Sequence, residues 1–239
     1  MASELIRGLR IRKEPGEIAS LRAAAEAVDR VLARVPSEVR FSGRTEHQIA
    51  RVFFEMTLEE GHDVASFAII ASGPNGASPH HEPGDRMVEE GDLVVCDFGG
   101  RINGYHSDVT RTFSVGPPTP EQVDVHHVVA KANAAGRAAA RPGVQGQKID
   151  SAARSVIEEA GYGRFFVHRT GHGIGLEVHE HPYLVEGNDM PLESGMSFSV
   201  EPGIYLPDRF GVRIEDIVTV VHDGVDELNQ AERDLVEVG

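Results

Sequence analysis

An α+β fold, in which helices cover a curved antiparallel sheet, is what this 239-residue sequence predicts, and three observations carry the expectation. Apolar residues at helical spacing open the chain. Runs rich in β-branched and aromatic residues, bounded by Gly, Pro or Asn, follow them. The order helix, helix, strands then recurs, which suggests two similar, pseudo-symmetric halves although residue identity between them is too low for a repeat.

From Glu14, the spacing of Ile18, Leu21, Val28 and Leu32 gives a helix one apolar face, and Pro36 is expected to end it. Thr45 with Gln48 three positions on has the pattern of a capping box. It announces a second helix through Ile49, Val52, Phe53 and Met56 that closes before Gly61. Residues 66–71, 93–99 and 109–115 read as strands. A long Ala-rich helix is expected over 120–141 and another over 148–160, the latter closed by Gly161. Strands return near Phe165, Phe198 and Ile204 and over 213–220. His126 and His127 are expected on the solvated face of the long helix.

The length suits one large domain. No composition break or linker divides it, and GPPTP at Gly116 to Pro120 reads as a loop before a helix start. With 23 Lys and Arg against 38 Asp and Glu, the net charge of −15 opposes binding to a phosphate backbone, so nucleic acid is not an expected partner. No apolar stretch reaches the roughly 18 residues of a membrane span, and MASELIRGLR lacks a signal-peptide apolar region, so no membrane partner is expected. The single cysteine, Cys96, sits inside the apolar run LVVCDF as a small buried strand residue, and a reducing, cytoplasmic setting is the expected one.

Five residues carry the chemistry: Asp97 in DLVVCDFGG, Asp108 in YHSDVTRTF, His172 in TGHGIGLEVHEHP, Glu201 in FSVEPGIY and Glu215 in GVRIEDIV. Asp is disfavoured inside strands, so Asp97 and Asp108 conflict with their neighbours, and such conflicts mark function. If the four carboxylates converge in a buried place, their charge needs compensation, and two divalent ions supply it. GHGIG does not match the GxGxxG dinucleotide fingerprint, and the HEH of His179 to His181 lacks the four-residue spacing of HExxH. The oxygen-rich donor set favours Mn²⁺, with Co²⁺ or Zn²⁺ as alternatives. Two metals about 3.5–4 Å apart can hold a water and lower its pKa toward about 7, making hydroxide the nucleophile.

The order and wording of these segments resemble the pita-bread metallopeptidases, the family of methionine aminopeptidase, prolidase and aminopeptidase P. The likeness runs from Leu9 to Glu232, leaving residues 1–8 as a tail. SGPNGASPHH, EPGIY and His168 ahead of GHGIG are similar to the prolidase and aminopeptidase P branch. The resemblance implies the pita-bread (creatinase/aminopeptidase) fold, with Asp97, Asp108, His172, Glu201 and Glu215 as metal ligands. It further implies that His80 and His179 stabilise the transition state and deliver protons, with Glu201 as a shuttle and their division of labour open. His81, adjacent to His80, competes for that role. His168 and Arg213 look like substrate-side residues, with Phe67 as an apolar wall for a proline ring. Arg213 alternatively neutralises the carboxylates near Glu215, and Arg111 shares that ambiguity.

The resemblance therefore implies a metal-dependent exopeptidase acting on Xaa-Pro bonds in dipeptides or short peptides. Aminopeptidase P on longer peptides, methionine aminopeptidase and a non-catalytic peptide-binding module of the same fold are the alternatives, in that order. The separate N-terminal domain usual in this branch is not expected here, and the resemblance leaves room for a homodimer.

Overall fold

The structure, a computed structural model, describes residues 2–239. Helix α1 (Ala2–Arg10) includes residues expected as a tail, and Arg10 in its last turn bonds Glu177 and Glu180 across the molecule. Helices α2 (Pro15–Glu38) and α3 (Glu46–Glu59) precede β1 (Val64–Ser72), β2 (Leu93–Ile102), β3 (Tyr105–His106) and β4 (Val109–Val115). Helices α4 (Pro120–Ala139) and α5 (Gly146–Glu159) lead into β5 (Gly171–Gly173), β6 (Glu180–Leu184), β7 (Ser197–Val200) and β8 (Gly203–Leu206). Strands β9 (Phe210–Arg213), β10 (Asp216–Val221), β11 (Gly224–Glu227) and β12 (Val236–Val238) complete the chain.

The capping signal at Thr45 behaves as expected, and the structure adds a second box at Thr119. Thr45 Oγ1 accepts from the Gln48 amide at 3.2 Å while the Thr45 amide donates to Gln48 Oε1 at 3.0 Å, and Thr119 with Gln122 does the same at the start of α4. Pro36 does not end α2. It lies in the last turn, where its missing N–H leaves only the Leu32 carbonyl without its helical donor, and the Val39 amide still closes on Val35 O at 3.0 Å. The strand expected near Phe165 is a 3-10 turn, Gly163–Phe165, in which Phe165 N donates to Tyr162 O and Phe166 N to Gly163 O. Glycines on both sides of Tyr162 favour such a tight turn over extended pairing.

Strands β1, β2, β4 and β12 form one five-stranded sheet with β3 at its side, and β11, β10, β7, β5 and β6 form another in that order. An isolated bridge between Thr110 and Glu215 joins them. Among the described residues only β12 with β4 pairs in parallel. Helices α2 and α3 press Val28, Val31, Ile49 and Phe53 onto Val94, Phe98 and Phe113 of the first sheet. Phe53 meets Phe98 edge-on with ring centroids 4.9 Å apart, and each such fully buried side chain stabilises the fold by about 1.5–3 kcal/mol. Helix α4 buries Val125, Val129 and Ala132 against β8 and β9. His126 is on that inner face and buried, contrary to expectation, and burial lowers its pKa to about 4.

Behind the junction of the sheets, Arg111 is enclosed. Its guanidinium donates to Asp216 Oδ1 at 2.7 Å and to the carbonyls of Thr110, Glu215, Ala231 and Glu232, while Arg233 holds the other Asp216 oxygen. This resolves the ambiguity of Arg111 in favour of structure. Asp216→Ala is expected to destabilise the protein by about 3–5 kcal/mol, because it strands a buried cation. That corresponds to a fall in Tm on the order of 10 °C for a domain of this size. Calorimetry on the folded variant checks it.

Candidate metal centre

Strand register brings the candidate ligands together. Asp97 on β2 lies opposite Thr110 on β4, and Thr110 bridges to Glu215, so one threonine stands between two carboxylates distant in sequence. Asp216 pairs with Val200, which sets Glu215 beside Glu201. Strand β5 runs between β6 and β7 and carries His172. A Cβ at Gly171 would strike the Ser199 carbonyl and one at Gly173 the His181 carbonyl, so glycine on both sides of His172 is what lets three strands close around it.

His172 Nε2 lies 3.3 Å from Glu201 Oε1, 3.6 Å from Asp108 Oδ2 and 3.9 Å from Glu215 Oε1. Asp108, His172 and Glu215 each offer a ligand atom within 4.8 Å of the others, and all three are buried. His172 Nδ1 sits 3.1 Å from its acceptor, the Gly173 carbonyl, so Nδ1 carries the proton and Nε2 turns its lone pair to the carboxylates. Asp97 Oδ2 accepts from Arg213 Nη2 at 2.7 Å. Asp97 Oδ1 and Glu215 Oε1 are buried with no hydrogen-bond partner among the described residues. Such orphaned acceptors are costly, and a divalent cation is the partner that four clustered carboxyl groups and one neutral imidazole fit.

The electrostatics agree. Burial, reinforced by neighbouring carboxylates, holds the carboxyl groups of Asp108 and Glu215 well above the ordinary range. Burial pushes Glu201 up to about 7 despite the opposing charge of Arg213. Burial, and then His179, lower His172 to about 3, which keeps its ring neutral. A bound cation inverts this logic and favours the ionised carboxylates.

All five expected ligands line one cavity of about 700 Å³, and so do Phe67, His80, His168, His179 and Arg213. His81 does not, because its Nε2 lies 2.7 Å from Glu46 Oε2 in a separate buried cluster. The His179 ring stands edge-on to His172 at 4.2 Å between centroids, and partial burial and then Arg169 lower its pKa. Arg213 spends four hydrogen bonds on protein groups: Asp97, Thr110 Oγ1, the Tyr205 hydroxyl and the Pro79 carbonyl. Burial opposes its charge, but Tyr205, Asp97, Glu201 and Glu215 outweigh that and keep it protonated.

His168 belongs to the same chain of contacts. Its Nδ1 donates to the Arg169 carbonyl at 2.7 Å, which leaves Nε2 to accept from the Tyr205 hydroxyl at 2.8 Å. Tyr205, Thr110, Arg169 and Asn133 were not anticipated from sequence. Asn133 donates to the carbonyls of Val200 and Ile214, the residues just before Glu201 and Glu215, and so clamps the two ligand strands. The available signal was its position, a polar residue on the buried face that α4 shares with Val125, Val129 and Ala132.

A carboxylate cage around a neutral imidazole, held where two sheets of an α+β scaffold meet, has the donor set of a divalent-metal centre, and the family match makes the class that of a metallopeptidase. The chain belongs to metallopeptidase family M24, whose profile matches residues 19–222. Its relatives include the probable dipeptidase PepE of Mycobacterium tuberculosis, 50% identical over 239 residues, which cover 100% of this chain and 64% of that protein. The Xaa-Pro dipeptidase of Pyrococcus furiosus is 39% identical over 233 residues, 98% of this chain and 67% of that one. The crystal structure of recombinant prolidase from Thermococcus sibiricus matches with a TM-score of 0.96 at 44% identity, covering 99% of this chain and 65% of that one. The expected pita-bread architecture is thus the one found, and the chain spans 64% of the length of the PepE relative.

Proposed function

We propose that this chain is the catalytic unit of an Xaa-Pro dipeptidase that works with two divalent ions, Mn²⁺ foremost. The observation that carries the reading is the meeting of Asp108, His172, Glu201 and Glu215 in a cavity that also contains orphaned oxygens of Asp97 and Glu215. These five side chains would hold the ions. When bound, the ions supply Lewis acidity and an activated water near neutral pH.

The remaining residues suit the other needs of the reaction. The leaving group of an Xaa-Pro bond is a secondary amine and must be protonated as it departs. His80 and His179 face the cavity beside the ligands and can donate N–H groups to a developing oxyanion or to that nitrogen. Glu201, among the ligands and hydrogen-bonded by the Ser199 hydroxyl at 3.2 Å, suits a proton shuttle. Phe67, Ile69, Val178 and Val185 provide apolar walls for a proline ring. His168 and Arg213, tied to each other through Tyr205, would shape the cavity floor rather than change partners on substrate binding. The lone buried thiol of Cys96 and the absence, among the described residues, of a helix long and apolar enough to cross a membrane are compatible with a cytoplasmic setting.

Arg169 supports the dipeptide over longer peptides. Its guanidinium lies over the Tyr183 ring at 4.6 Å, lines the cavity and makes no side-chain hydrogen bond among the described residues. It is therefore free to pair with the terminal carboxylate that a dipeptide carries on its second residue. Metal-loaded protein is expected to turn over Ala-Pro faster than Ala-Pro-Ala, Met-Ala-Ser or Gly-Leu. Equal rates on Gly-Leu would defeat the proline assignment. Arg169→Ala should raise KM for Ala-Pro about 10–100-fold, the worth of a hydrogen bond to a charged group, with a smaller effect on Ala-Pro-Ala. An unchanged KM would remove Arg169 from substrate binding.

A further inference from the structure

Glu46 is a wholly buried carboxylate on α3, outside the cavity, and the reaction makes no use of it. Five donors converge on it. The Ser72 amide, the Ser72 hydroxyl and Asn75 Nδ2 reach Oε1 at 2.8, 2.7 and 3.0 Å, while the Gly84 amide and His81 Nε2 reach Oε2 at 3.0 and 2.7 Å. Burial opposes ionisation, but the bonds from Ser72, His81 and Asn75 outweigh it and hold the carboxyl below its ordinary range. All five donors belong to a single stretch, residues 72–84, that leaves β1 and contributes Pro79 and His80 to the cavity lining.

That stretch carries His80. The His80 ring lines the cavity, is exposed and makes no hydrogen bond among the described residues, so its place is determined by its backbone. The backbone is tied on both sides: His81 to Glu46, and Pro79 through its carbonyl to Arg213 Nη1 at 3.4 Å. A turn in which the His81 amide donates to the Ser78 carbonyl at 3.2 Å makes the link between the two ties short.

We propose that Glu46, acting through His81, is a positioning residue that aims His80 into the metal cavity. The proposal rests on the reading of His80 as a group that touches substrate. It also gives the adjacent histidines different tasks, one facing the reaction and the other anchoring its neighbour. A rigid loop of this kind matters because a displacement of about 1 Å in a group that contacts the reacting atoms can cost on the order of 10²-fold in rate.

The test uses the full chain loaded with Mn²⁺ and assayed on Ala-Pro. His81→Ala is the primary variant, since His81 is partly exposed and its removal leaves Glu46 four donors, whereas Glu46→Gln serves as the conservative companion. His81→Ala should lower kcat about 10–100-fold with KM and metal stoichiometry unchanged, and Glu46→Gln should fall between it and wild type. In the His80→Ala background the same change should cost less than about twofold, because nothing remains to be aimed. Equal losses in both backgrounds, or wild-type kcat for His81→Ala, would overturn the positioning role. Wild-type kcat for His80→Ala would overturn the assignment of His80 and the positioning role with it. A readout independent of peptide hydrolysis is the ring ¹⁵N signals of histidine in the metal-free protein, assigned with His80→Ala. The His80 signals should shift in His81→Ala, and unmoved signals would refute the proposal even if the substrate were some other molecule.

Discussion

Asp108→Ala is expected to abolish stoichiometric metal uptake and to lower kcat/KM on Ala-Pro by at least about 10³-fold, since without the ions no water in the cavity ionises near neutral pH. Asp108 is the test position of choice because it is buried, sits 3.6 Å from His172 Nε2 and, among the described residues, makes no side-chain hydrogen bond whose loss would complicate the outcome. Burial, and then the neighbouring carboxylates, disfavour its charged form in the absence of a cation, so its removal takes away an acid that the metal-free protein holds at a cost. The variant should consequently fold at least as well as the metal-free parent. Elemental analysis after Mn²⁺ loading, read beside peptide turnover, decides. Full uptake with full activity in the variant would mean that the cage is not the reaction centre.

The stabilisation that metal confers should grow with pH, because the site carboxyl groups are held protonated only when metal is absent. Asp108, Glu201 and Glu215 all have carboxyl pKa values raised in the folded state, Glu201 from 4.5 to about 7. At these three groups the metal-free native state binds more protons than the unfolded chain, so their own contribution to stability falls as pH rises. Buried histidines with lowered pKa values, such as His126, act in the opposite sense below about pH 6.5 with or without metal. The contribution of the three carboxyl groups is complete below about pH 4.5 and is lost as pH climbs through about 7 and beyond. Bound cations remove those protons, so the loaded protein escapes this loss and binds metal more tightly as pH rises. The gap in Tm between Mn²⁺-loaded and EDTA-treated protein should widen from about pH 5 to about pH 8. A gap that stays constant over that range would mean that these carboxyl groups are already ionised without metal. Glu201→Gln should flatten the part of the curve centred near 7.

Local signals in the sequence were sufficient for helices α2 to α5 and for the central strands, but not for α1 or the short strands. The capping box at Thr45 acts over three residues, and helical or strand periodicity acts over ten, so both are legible without knowing what lies across the fold. Asp97 and Asp108 stood out as candidate ligands for a related reason: acids in or beside apolar strands conflict with their surroundings unless something charged compensates them, whereas the full set of five rested on the family resemblance. The limits of such reading are equally local. Pro36 is tolerated because it falls in a last turn, and His126 is buried because a sheet happens to cover that face of α4.

What the sequence indicated by itself was therefore the α+β class, the main helices and central strands, the family likeness and a candidate donor set. Only the tertiary structure decided which groups are free to act: that His80 faces the cavity while His81 is held by Glu46, that Arg213 is occupied by Asp97 and Tyr205 while Arg169 is not, and that Asn133 clamps the strands of Glu201 and Glu215. Each of these depends on strand register and on contacts between residues far apart in the chain, where a shift of one position would turn every side chain to the opposite face.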